Sequence, residues 1–156
     1  MADDALYKVA YDEAVRVLAE QQSTIDRIRS RAGLLSSSAA VMTSLLAAEA
    51  LRGGEASLFS WLGLASFVGA VMALLAILWP RGWDVSVNPH EVIRTYIEAG
   101  EPASIGELHR ELSFHMHGSY RENSAGLKKL VVFFQIANVL VAVELVLWVV
   151  AIAFAS

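Results

Sequence analysis

Residues 32–79 decide most of what this chain can become. Two apolar runs, 32–51 and 58–79, are joined by the turn Leu51-Arg52-Gly53-Gly54-Glu55-Ala56-Ser57 and closed by Pro80-Arg81. About 20 apolar residues in a helix rising about 1.5 Å each are enough to cross a hydrocarbon core of about 30 Å. The second run is nearly uninterrupted, and a third run, 130–155, holds 17 Leu, Ile, Val and Phe residues, enough to carry a few polar side chains into lipid. Backbone in lipid must satisfy its own hydrogen bonds, and helices do so within one segment. The expected fold is therefore an all-α membrane protein with three transmembrane helices. The 56% of apolar residues in the 156-residue chain exceeds the share of an ordinary soluble domain.

Between and before these runs the chain is polar and helical in pattern. Residues 1–31 hold no Gly or Pro and open with Asp3 and Asp4, where a helix N-terminus favours negative charge. Tyr7, Tyr11, Ala14, Leu18, Gln21, Ile25 and Ile28 alternate in steps of four and three, and Ala32 and Leu35 continue the series into the first apolar run. Such a seam packs either on another helix of the same subunit or on a second copy. A continuous helix from Asp3 to Ala50 would be about 70 Å long, more than twice the hydrocarbon core. The first and third transmembrane helices are thus expected to extend into a cytoplasmic helical stalk. In the segment 80–129, Asn88-Pro89-His90-Glu91 opens a short helix reaching about Ala99, and the capping box Ser104-Ile105-Gly106-Glu107 opens a second running into the third span, with bends expected at Gly118 and Gly126.

Charge sets orientation and removes several functions. Eleven of the 12 basic residues lie before the first run or between the second and third, and only Arg52 lies on the other side. The positive-inside bias places the N-terminus and the central segment in the cytoplasm and the C-terminus outside, with lipid as the surroundings of the spans. The polar start is unlike a cleaved export signal, which opens basic and turns apolar at once. The net charge of -4 with interleaved signs gives no basic face for a nucleic acid polymer. Without cysteine there is no disulfide, thiolate nucleophile or Cys-based zinc site, and no nucleophile elbow, P-loop or dinucleotide fingerprint occurs. Glu107, Glu111 and His115 share a helix face but match no zinc or di-iron spacing. No catalytic residue, cofactor or metal is assigned, and the chain is not expected to be an enzyme.

The candidate residues are intramembrane and juxtamembrane. Glu144 costs about 2.5 to 3.5 kcal/mol to place at the centre of a span. It either bridges helices or subunits or lines a gate, or it is held by a hydroxyl of the first span such as Thr43 or Ser44. Gln135 and Asn138 share its span, but at about 100° per residue Glu144 falls opposite Gln135, so no single polar stripe runs along the helix. Ala40, Ser44 and Ala48 in the first span and Ala65, Gly69 and Ala73 in the second form small-residue ridges of the kind that lets helices approach closely in lipid. Arg27 and Arg31, one turn apart at the membrane entry, suit lipid headgroups or an anionic ligand.

The run Ile25-Asp26-Arg27-Ile28-Arg29-Ser30-Arg31-Ala32 before the first span, the tight hairpin, and Pro80-Arg81 after the second resemble the Pycsar-type transmembrane effectors of bacterial anti-phage defence, with the related SLATT-type membrane effectors as second choice. The resemblance implies an oligomerising effector of the bacterial plasma membrane that perturbs membrane integrity on a cyclic nucleotide signal, acting as a homo-oligomer. The alternatives are an accessory subunit packing on another membrane protein, or a small ion or proton pathway through Glu144.

Overall fold

The computed structural model describes residues 2–52, 56–80, 94 and 104–155. It contains three long helices: α1 (Ala2–Ala50), α2 (Leu58–Leu78) and α3 (Ile105–Ala155), with no strand among the described residues. All three are long and apolar enough to cross a membrane. The expected bends at Gly118 and Gly126 do not interrupt α3, which is helical through both.

The helix ends follow local chemistry. Ser104 and Glu107 form the reciprocal capping box: the Ser104 N–H donates to Glu107 Oε2 at 2.9 Å and the Glu107 N–H to Ser104 Oγ at 3.2 Å. Ser57 caps α2 by accepting from the Ser60 N–H at 3.2 Å, and the Trp79 N–H closes the other end on the Leu75 carbonyl. Trp61 and Trp79 are exposed near the two ends of α2. Apart from Arg94, the expected helix 89–99 lies outside the described residues, as do the glycines at 53–54.

The chain divides into two compact units, Met1–Ile25 with Arg81–Leu127 and Asp26–Pro80 with Lys128–Ser156. In the first unit α1 and α3 run parallel, since contacting positions rise together. The Tyr11 ring stacks on His109 with centroids 5.2 Å apart, and Gln21 reaches Ser124 and Tyr120. Leu18, Gln21 and Ile25 are buried from α1, and Met116, Ser119 and Asn123 from α3. These α1 positions lie on the expected four-three seam, although Tyr7 at its start is exposed.

In the second unit α1 and α3 are again parallel and α2 is antiparallel to α3. One cluster joins Ala39, Ala70 and Val141; another joins Ala50, Trp148 and Ala151. Ser66 Oγ donates to the Leu140 carbonyl at 2.9 Å, and Phe59 stacks on Phe154. The buried face of α2 is built mostly of small residues, Ser60, Gly63, Ser66, Ala70 and Ala73, with Leu74 and Ile77. A Cβ on Gly63 would sit 3.2 Å from the Trp148 ring, so the indole lies directly on the backbone. Small side chains let α2 approach closely where lipid gives no hydrophobic drive for association.

Two of the expected small-residue ridges are not the faces that pack inside the chain. Ala40, Ser44 and Ala48 are exposed, while Ala39, Thr43 and Ala50 are buried. In α2, Ala65 is exposed, Gly69 is half-buried against Leu140, and only Ala73 is buried. Each helix is turned by about one residue from the ridge read by spacing. Thr43 reaching Glu144 and Ser66 reaching Leu140 are the polar contacts that fix this rotation.

Candidate functional site

Glu144 lies on α3 between the two apolar clusters, one turn from Val141 and one from Trp148, and is 0% exposed. Its Oε1 receives the Thr43 hydroxyl from α1 and the Trp148 Nε1–H at 3.3 Å from its own helix. Thr43 Oγ1 also sits 2.7 Å from the Ala39 carbonyl. A threonine hydroxyl has one proton to give. The Thr43 hydroxyl is therefore shared between the Glu144 carboxyl and the Ala39 carbonyl, donating to one at a time. Glu144 Oε2 is buried with no hydrogen-bond partner among the described residues. The local chemistry is a polar lock between parallel spans, and the two flanking clusters seal it from both directions along the helix.

The other intramembrane polar residues do not join this lock. Gln135 and Asn138 are exposed, on the side of α3 away from Glu144, and Asn138 Nδ2 donates to the Phe134 carbonyl of its own helix at 2.7 Å. Ser44 is bonded to the Ala40 carbonyl. Arg27 and Arg31 are both exposed.

Sequence reasoning missed how far the inward face of α3 extends. His109, Met116, Asn123, Leu130, Ala137, Glu144 and Ala151 stand seven residues apart; His109 is half-buried and the other six are buried. On α1 the matching series is Tyr11, Leu18, Ile25, Ala32 and Ala39, all buried except the half-buried Tyr11. Within each unit, fixed seven-residue spacing is the mark of two helices that keep one face toward each other.

Sequence reasoning also missed a pair of open grooves in the first unit. One, of about 580 Å³, is lined by Tyr7, Ala10, Arg110, Ser113, Phe114 and His117. The other, of about 390 Å³, shares Ala10, Ser113 and His117 and reaches Glu13 and Tyr120. The Arg110 guanidinium stands 5.7 Å from the Phe114 ring centroid. A guanidinium, an imidazole and two aromatic rings around one groove are chemistry suited to a planar anionic ligand. At the edge of the second groove Glu13 pairs with Arg16 at 2.6 Å, and the same Arg16 also pairs with Glu20 at 2.8 Å. The hydrogen bond from Arg16, with its charge adding to it, holds the Glu13 carboxyl below the usual range. Glu107, committed to its cap, and Glu111 and His115 are all exposed, and no group of three metal-ligating residues converges among the described residues.

No protein-family model matches the chain, and neither a curated protein nor a solved structure is similar to it.

Proposed function

We propose that this chain is a non-enzymatic effector of the bacterial plasma membrane, with its N-terminus in the cytoplasm and its C-terminus outside, that self-associates and perturbs membrane integrity on a cytoplasmic nucleotide signal. The observation that carries the reading is that α1 and α3 are each helical without a break from the groove-lining residues to Thr43 and Glu144. A ligand at Arg110 and His117 that altered the packing of these helices would then bias the lock, as a ligand shifts any equilibrium for which its affinity differs between the two states. Burial of Glu144 on all sides favours a packing role for it over an open ion path.

The test is dye release from vesicles carrying the purified protein, with and without cyclic nucleotides, together with isothermal titration of the same nucleotides. Release on nucleotide addition, lost in Arg110→Ala, supports the reading. Absence of both release and binding refutes it and favours an accessory subunit. That second reading rests on Ala40, Ser44 and Ala48, which leave a small-sided face of α1 open to another membrane protein.

A further inference from the structure

The outward side of α3 differs in kind from that of α2. On α2 the exposed residues are bulky apart from Ala65, among them Trp61, Leu64, Met72 and Leu75. On α3, Gln135, Val139, Ala142, Val146, Val149 and Ala153 are all exposed and fall in strict steps of four and three. This is the spacing of a knobs-into-holes seam. Its members are small or β-branched, so a helix can come close and little side-chain freedom is lost on contact. Asn138 flanks the seam within about 60°, and its bond to Phe134 uses one of the four hydrogen bonds an amide can make.

We infer that this face is the interface between two copies of the chain, with Gln135 and Asn138 bonding across it. Amides in hydrocarbon are costly unless they find donors and acceptors. A second copy inserted in the same orientation carries its own Gln135 and Asn138 at the same depth. A twofold axis along the membrane normal sets like residues opposite like. Each amide is donor and acceptor at once, so the pair is self-complementary, a property that lipid tails lack. The inference rests on the membrane placement and self-association proposed above and adds the surface that carries them.

The native chain has no cysteine, so single cysteines report the interface directly. Val139→Cys, Ala142→Cys, Val146→Cys and Val149→Cys are to be oxidised with copper phenanthroline in reconstituted vesicles. Ile136→Cys and Val143→Cys, exposed but about 80 to 100° around the helix from Gln135, serve as references. Disulfide dimer at the four seam positions is expected to exceed that at the references several-fold. Equal yields, a maximum at the references, or no dimer at positions that react with maleimide would overturn the inference and leave the face to lipid. In the Val146→Cys background, Gln135→Leu with Asn138→Leu is expected to lower the dimer yield several-fold; an unchanged yield would remove the amides from the interface. Cross-linking needs no nucleotide and no leak, so a seam that cross-links in a protein that never releases dye separates this inference from the effector reading.

Discussion

Replacing Thr43 by Val keeps the shape of the side chain and removes the hydroxyl that reaches Glu144. The two partners do not lose equally. Thr43 retains the Ala39 carbonyl if Glu144 is removed, whereas Glu144 keeps only the 3.3 Å bond from Trp148 if Thr43 is removed. Leaving a buried polar group short of partners costs about 1 to 3 kcal/mol in water-soluble proteins. Between membrane helices the measured scale is smaller, about 0.6 kcal/mol on average and about 1.7 at most, because the unpacked helices also find partners. Glu144 is fully buried, which puts Thr43→Val near the upper part of that scale, at about 1.5 kcal/mol. Glu144→Leu strands only the Trp148 N–H and should cost about 1 kcal/mol. In the double variant the Thr43 change has nothing left to remove, so the two effects should couple by about 1 to 1.5 kcal/mol. Glu144→Gln, whose amide oxygen can still accept from Thr43 and Trp148, should lie close to wild type, as should Thr43→Ser. The assay is a double-mutant cycle from detergent titration of the folded protein in bicelles, followed by tryptophan fluorescence. If the two single effects add within about 0.5 kcal/mol, the geometry does not describe a bond that holds the spans together.

Three further outcomes follow from particular contacts. Gly63→Ala sets a methyl 3.2 Å from the Trp148 ring and should destabilise the second unit by about 1 to 3 kcal/mol with a shift in tryptophan emission; Gly33→Ala, with nothing within 4 Å of its Cβ, should instead gain about 0.5 to 1 kcal/mol in the same denaturant titration. Gln21 is 6% exposed and its Oε1 has no hydrogen-bond partner among the described residues, so Gln21→Leu should raise thermal stability by about 1 kcal/mol while weakening the choice of register that a buried polar group enforces. Because Arg16 depresses the Glu13 carboxyl, their contribution to stability is present above the ordinary glutamate range, about pH 4.3, and is lost as pH falls through the folded value; an NMR titration should find Glu13 titrating below exposed glutamates, and Arg16→Gln should return it to their range.

The locally encoded features were legible in the sequence. The three apolar helices follow from hydropathy and length, and the Ser104–Glu107 capping box from two side chains three residues apart. The α1 seam was legible through Leu18, Gln21 and Ile25 because its pattern is narrow and repeated. The same reading failed on α3. Three members of its inward series, His109, Asn123 and Glu144, are polar, and a search for apolar periodicity passes over them. The grooves were equally invisible, since Tyr7 and Arg110 meet only when two helices distant in sequence pack side by side.

What the sequence by itself determined is that three helices form, roughly where they begin and end, and that Glu144, alone among the apolar residues around it, needs some polar partner. What only the tertiary structure decided is which face of each span turns inward. From Ser36 to Ala40 the first span offers a small residue at every position, so a rotation of about 100° exchanges one small-sided stripe for another at little cost in hydropathy. Spacing alone cannot choose between them. Hydrogen bonds can: an outward hydroxyl such as Ser44 still bonds the carbonyl one turn back, but a carboxyl turned toward lipid has no such donor and goes unmet. Thr43 on Glu144 and Ser66 on Leu140 make that choice, and they are long-range contacts that no local pattern records.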